Sequence, residues 1–90
     1  RKWSRAEGFL QCSISLWRQL GEPVNQANTE DNLAEAYLKQ QKWEQAREVL
    51  GRACGRLSGF SVEGLVEELL TDIDKHLQTA EAGLGRTLSA

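Results

Sequence analysis

The chain has 90 residues and a formal net charge of −2, with 40% hydrophobic and 27% charged residues. A chain of this length forms at most one modest domain, and its apolar fraction is too high for a disordered segment. It has no surplus of Lys and Arg to neutralise nucleic-acid phosphates, and no stretch approaches the roughly 18 apolar residues that span a bilayer. Because the chain begins with Arg, lacks Met and shows no secretory pattern, we expect a piece of a longer cytoplasmic protein.

The first predicted helix occupies residues 1–20. Its apolar residues recur at three- and four-residue steps, which is the spacing of one face of an α-helix. These residues are Trp3, Ala6, Phe9, Leu10, Ile14, Trp17 and Leu20. Ser4 and Glu7 fit a capping box at its start. Gly21 and Pro23 predict where the helix ends.

The second helix is predicted to begin within the polar stretch from Asn25 to Thr29, which supplies several candidate N-caps. A turn at residues 40–42 leads to the third helix, and residues 58–61 break the pattern again. The apolar stripe of the second helix consists of Leu33, Ala34, Tyr37 and Leu38, and that of the third consists of Trp43, Ala46, Val49, Leu50, Ala53, Cys54 and Leu57.

The fourth helix is predicted over residues 61–84, with Ser61 as its cap and an end at Gly83 and Gly85. It carries the longest apolar stripe of the chain, which begins at Val62, and residues 85–90 follow as a flexible tail. No strand-like alternation occurs anywhere. The sequence therefore predicts an all-α fold of about four helices.

An internal repeat relates the first helix to the third. An offset of forty residues aligns residues 3–7 with residues 43–47, and Phe9 and Leu10 with Val49 and Leu50. A period of this size, with apolar residues in register, is typical of helical solenoids, in which each unit buries its apolar face against its neighbours.

Residues 32–38 and 43–47, together with Leu50 and Ala53, resemble the tetratricopeptide repeat. The match covers one complete repeat over residues 28–57. Residues 1–20 look like the second helix of a truncated repeat, and residues 61–84 look like a divergent capping helix, because Asp74 stands where the repeat has the small residue Ala34. Residues 16–22 resemble the end of the roughly forty-residue version, which occurs in large bacterial regulatory and signalling proteins and in kinesin light chains. The resemblance implies antiparallel helix hairpins stacked into a right-handed solenoid, and a non-enzymatic protein-protein interaction module.

Charge separates between the predicted helices. Residues 28–41 hold one Lys against three carboxylates, residues 61–82 hold one Lys against six, and residues 1–20 and 42–57 are basic. In the family that the chain resembles, first helices line a concave groove, which implies an acidic groove for a basic or neutral peptide or helix. The implied groove residues are Asn28, Asp31, Asn32, Glu35, Leu38, Lys39, Glu68, Asp72 and Lys75. Some family members use first-helix cations to hold a peptide's terminal carboxylate, and the carboxylates here argue against that activity.

The alternative is a structural, self-associating segment inside a larger regulatory protein. The first helix has no preceding partner in the sequence, and uncovered apolar residues commonly mark association surfaces. On this hypothesis a homo-oligomer forms through Trp3, Phe9, Leu10, Ile14 and Trp17.

Candidate chemistry is sparse. His76 is the single histidine, and with Asp72 one turn earlier it is too small a ligand set for zinc; we interpret the two as a solvated i,i+4 pair. Cys12 and Cys54 are interpreted as reduced residues buried at helix contacts, with a disulfide as the alternative if their Cα atoms approach within about 7 Å. The carboxylates have no matching nucleophile or glycine-rich loop. We therefore expect no enzyme activity, no cofactor, no metal, and no nucleic-acid or membrane partner.

Overall fold

The computed structural model describes residues 2–89, with side chains described over residues 3–86. It contains four helices: α1 (Lys2–Leu20), α2 (Pro23–Lys39), α3 (Trp43–Leu57) and α4 (Gly64–Ser89). Residues 2–89 contain no strand. The predicted all-α class and the number of helices are confirmed.

Helix α2 lies at the centre of the molecule. It packs against all three other helices, α3 and α4 also pack together, and α1 contacts α2 alone. Leu10 and Ile14 of α1 pack at the margin of the core. The described core itself comes from α2, α3 and α4, and consists of Ala27, Leu33, Ala34, Tyr37, Ala46, Val49, Leu50, Ala53, Leu57, Leu69, Ile73 and Ala80.

The connection between α1 and α2 is a glycine-terminated helix end. Gly21 has a φ of 68°, a left-handed conformation that glycine adopts without steric cost. Its N–H donates to the carbonyl of Arg18 at 3.1 Å, and the N–H of Glu22 donates to that of Trp17 at 3.0 Å. The predicted end of α1 is confirmed. Helix α2 begins at Pro23, ahead of the predicted caps, because proline suits the first turn of a helix.

The turn between α2 and α3 lies at residues 40–42, as predicted. Gln41 has a φ of 61°, and the N–H groups of Gln41 and Lys42 donate to carbonyls of the last turn of α2 at 3.0 and 2.9 Å. The carboxylate of Glu7 accepts hydrogen bonds from Gln40 and from Lys42, the latter at 3.3 Å, which ties this turn to α1. The predicted capping box is therefore wrong: α1 begins at Lys2, so Ser4 lies inside the helix and Glu7 bonds to another element.

Helix α4 differs from its predicted bounds at both ends. It begins at Gly64, so that Ser61 and Val62 precede it, and it continues through Gly83 and Gly85 to Ser89. The predicted cap and the predicted end are both wrong. A glycine inside a helix costs only about 1 kcal/mol relative to alanine, and packing of α4 against α3 outweighs that cost.

Gly83 is required where α4 crosses the indole ring of Trp43. A Cβ atom at position 83 would overlap Cδ2 and Cε2 of Trp43 and lie 2.7 Å from Cε3. The guanidinium of Arg86, one turn later, lies 5.8 Å from the centroid of the same ring. The missing side chain thus allows the backbone of α4 to lie directly on the ring.

We expect Gly83→Ala to lower the free energy of unfolding by about 1–3 kcal/mol, because the added methyl group overpacks the contact with Trp43. Gly85→Ala is the matched control, since a Cβ there meets no atom within 4 Å. It should raise stability by up to about 1 kcal/mol through helix propensity. Urea unfolding of the two variants measures both effects. Equal stabilisation by both substitutions would contradict the close contact at Gly83.

Candidate protein-binding groove

A cavity of about 220 Å³ lies between α2 and α4. Its lining combines apolar side chains with an amide-rich and acidic rim. The lining residues are Val24, Asn25 and Asn28 from α2, and Leu65, Glu68, Leu69 and Asp72 from α4. Glu68 and Asp72 also line an open surface with Glu67 and Thr71. We call the cavity and this surface together the α2–α4 groove.

The α2–α4 groove contains three of the nine residues that the resemblance implied for partner binding: Asn28, Glu68 and Asp72. Asp31 is buried beneath the surface, and Leu38 packs partly against the core. The remaining four side chains are exposed outside the cavity, and they are Asn32, Glu35, Lys39 and Lys75. A role for any of the nine in partner binding stays a prediction.

Asp31 and His76 join α2 to α4 beside the groove. The Nδ1 atom of His76 lies 2.7 Å from Oδ1 of Asp31, and Asp31 is only 5% exposed. The interpretation of His76 as a solvated partner of Asp72 is therefore wrong. Sequence spacing shows neighbours within one helix, whereas the true partner is on a helix that packs across the core.

Burial raises the pKa of Asp31 above its ordinary value of 3.8. The hydrogen bond and the charge of His76 act in the opposite direction, and the negative charges of Asp72 and Glu35 raise the pKa further. The pKa is raised overall because burial destabilises the charged carboxylate more than the hydrogen bond and charge of His76 stabilise it. Asp72 and Glu35 thus add to the effect of burial on Asp31.

This raised pKa predicts a pH dependence of stability. The stabilising contribution of Asp31 should be fully present below pH 3.8 and lost as the pH rises through the raised pKa, because the folded chain holds the proton more tightly than the unfolded chain. Urea unfolding across this range, with Asp31→Asn as reference, isolates the effect. The stability of the wild type relative to the variant should fall with rising pH. A relative stability that rises instead would show that His76 dominates over burial.

The two cysteines are free, and both are exposed. Their predicted burial at helix contacts is wrong. The small residues at those contacts are Ala46 and Ala53, both fully buried, and the cysteines lie on other faces of the helices. Periodicity identified the apolar stripe of each helix but overestimated its width.

The apolar residues of α1 divide between two faces. Leu10 and Ile14 pack against the core, and Trp3 and Trp17 are partly buried. Of the five residues predicted for self-association, Phe9 alone is largely exposed, at 70%. Leu16 and Leu20 are exposed as well, at 56% and 60%, and they were not in the predicted set. The sequence could have indicated this, because residues seven and eleven positions after Phe9 lie on the same side of a helix as Phe9.

A second cleft, of about 290 Å³, lies between α1 and α3 and is also lined by residues of α2. The sequence did not predict this cleft, because the cleft depends on how α1 and α3 are placed relative to α2 in the folded chain. Its lining residues are Gln11, Ile14, Ser15, Arg18, Glu30, Leu33, Tyr37, Gln45, Glu48, Val49 and Arg52. Its carboxylates are already paired, Glu48 with Arg52 and Glu30 with Arg56. The α2–α4 groove has the stronger uncompensated charge and is the better candidate site.

No family model matches the chain, and no curated protein or solved structure is significantly similar to it. Within the part of the chain that the structure describes, no three His, Cys, Asp or Glu side chains are placed to hold a metal ion. None of the described helices has the length and apolar character to cross a membrane.

Proposed function

We propose that this chain is a non-enzymatic protein-interaction module of the tetratricopeptide type, which binds a basic or neutral peptide or helix in the α2–α4 groove. The observation that carries the proposal is the cavity between the two helices, where Val24, Leu65 and Leu69 are rimmed by Glu68 and Asp72. A partner would place an apolar side chain in the cavity and a cationic or amide group at the rim.

The helix contacts support a hairpin-repeat architecture. Helix α3 packs on both α2 and α4, and α2 also contacts α4 directly. Stacked antiparallel hairpins place alternate helices side by side in this way, and the repeat of forty residues in the sequence is the corresponding pattern. The free, exposed Cys12 and Cys54 support a reducing compartment such as the cytoplasm.

The two kinds of contact would have different roles in binding. Burial of an apolar anchor in the cavity supplies most of the affinity. The exposed carboxylates of Glu68 and Asp72 are screened by solvent and salt. They chiefly orient the partner, speed its approach and exclude acidic sequences. The Asp31–His76 hydrogen bond joins α2 to α4 beside the cavity.

Selection of peptides from a random displayed library tests this proposal without a known partner. We expect the wild-type chain to enrich sequences in which Lys or Arg follows or precedes a large apolar residue. The Glu68→Gln, Asp72→Asn double variant should lose the enrichment of cations and keep that of apolar residues. Raising NaCl from 50 to 500 mM should have the same effect on the wild type, because exposed charges are then screened within a few ångströms.

The charge-matched control is Asp74→Asn with Glu81→Gln. Both residues are exposed on α4 and lie about 180° from Asp72 around the helix axis, so the same loss of charge occurs on the opposite side of the helix. Enrichment should be unchanged in this control. Equal loss in both double variants would mean that net charge, and not the α2–α4 groove, selects the peptides.

A further inference from the structure

The side of α1 that faces away from α2 is an apolar surface. Phe9, Leu16 and Leu20 are 70%, 56% and 60% exposed on it, and Gly8 and Cys12 line a shallow depression beside Leu16. We call this surface the outer face of α1. Exposed apolar surfaces commonly mark sites of association.

The internal repeat shows which contact this surface corresponds to. The offset of forty pairs Phe9 with Val49 and Leu16 with Arg56. Val49 is buried in the core, and Arg56 donates two hydrogen bonds of 2.8 Å to Glu30 of α2. The equivalent positions on α3 are therefore the ones that α2 covers.

Helix α3 is covered by α2 on one side and by α4 on the other, whereas α1 has α2 alone. Leu10 and Ile14 of α1 pack at the margin of the core, whereas Phe9 and Leu16, the counterparts of Val49 and Arg56, are exposed. The contact that α2 makes with α3 through these two positions thus has no counterpart on α1.

We propose that the outer face of α1 binds an amphipathic helix, which lies on it as α2 lies on α3. Leu16 stands in the place of Arg56, so the bound helix must carry an apolar residue where α2 carries Glu30. Arg5 lies one turn before Phe9 and is exposed, which favours an acidic residue on the flank of that helix.

A second copy of the chain fits this face less well than an acidic amphipathic helix. Arg5 and Arg18 are exposed on α1, and the carboxylate of Glu7 is bonded to Gln40 and Lys42. Two copies joined through their α1 helices would therefore bring like charges together.

A charge-swap experiment tests the proposed geometry. The probes are two synthetic peptides with the sequence of residues 22–40, one natural and one with Glu30→Leu, measured by fluorescence anisotropy at up to millimolar concentration, because isolated short helices are marginally stable. The wild-type chain should bind the Glu30→Leu peptide about tenfold more tightly than the natural peptide, a difference of about 1.4 kcal/mol.

The Leu16→Arg variant should reverse this preference, and bind the natural peptide about tenfold more tightly, because it recreates the Arg–Glu pair of α2 and α3. Val62→Arg is the matched control, since Val62 is an exposed apolar residue outside both α1 and the α2–α4 groove, and this variant should prefer the same peptide as the wild type. Circular dichroism of each variant confirms that the helices remain.

A preference that does not depend on residue 16, or no binding of either peptide at millimolar concentration, would overturn the proposal. A concentration-dependent dimer in sedimentation, abolished by Leu16→Arg, would overturn it in favour of a second copy. The result is independent of the proposed function, because no residue of the α2–α4 groove is changed in the wild type or in Leu16→Arg.

Discussion

Replacing Arg56 by methionine is expected to lower the free energy of unfolding by about 3–5 kcal/mol, the range for breaking a buried ion pair from one side. The Nε and Nη2 atoms of Arg56 each donate to a carboxylate oxygen of Glu30 at 2.8 Å, and Glu30 is only 3% exposed. The hydrogen bonds that Arg56 donates to Glu30 raise the pKa of Arg56, against the effect of its own burial. Loss of the guanidinium leaves a buried carboxylate without its partner.

Arg52→Met is the matched control on the same helix. Arg52 pairs with Glu48 at 2.9 Å, but both side chains are exposed, so its removal should change stability by less than about 1 kcal/mol. The double variant Glu30→Leu, Arg56→Met should regain most of the loss, because apolar residues often replace a buried ion pair without destabilisation. Urea unfolding of the three variants measures these changes in the free energy of unfolding. Equal effects of Arg56→Met and Arg52→Met would contradict the burial of Glu30.

Leu50→Ala is expected to lower the free energy of unfolding by about 2–5 kcal/mol, the range for large-to-small substitutions in a core. Leu50 is fully buried, at 0% exposure, in the same cluster as Tyr37 and Ile73. Because it lies among residues of α2 and α4, its truncation leaves a cavity that three helices border.

Leu65→Ala is the control for the loss of the same atoms without burial, because Leu65 is the most exposed large apolar side chain among those described. Its effect should lie within about 0.5 kcal/mol. Thermal or urea unfolding measures both variants. An effect of Leu50→Ala as small as that of Leu65→Ala would mean that the register of α3 is wrong.

The helices and most of the core could be predicted because they depend on patterns within one segment. Three- and four-residue spacing identified Leu33, Tyr37 and Leu50 as inward-facing, and all three lie in the core. The boundaries of α4 could not be predicted in the same way. Gly83, which the sequence pattern predicted to end the helix, instead lies inside α4 and contacts Trp43 of α3.

The pairs that join different helices were beyond sequence reasoning. Asp31 was predicted as a groove charge, yet it is buried and bonded to His76, which is 45 residues away in sequence. The sequence shows the sign of each charge but not whether the side chain is buried, because burial depends on which helices pack together. The test of the proposed groove therefore relies on Glu68 and Asp72, because substitution of Asp31 would also disturb the packing of α2 on α4.

The central position of α2 determines which helix can separate from the others without global unfolding. No described side chain of α1 belongs to the buried cluster, and α2 is the one described helix that α1 packs against. We therefore expect α1 to detach, with loss of the bonds from Gln40 and Lys42 to Glu7, while α2, α3 and α4 remain packed. Such a local opening needs less free energy than global unfolding, and it uncovers the side of α2 that Leu10 and Ile14 protect. Helix α2 has no such independent motion, because its departure breaks the contacts of every other helix. The chain therefore has one detachable helix and one on which its cooperativity depends.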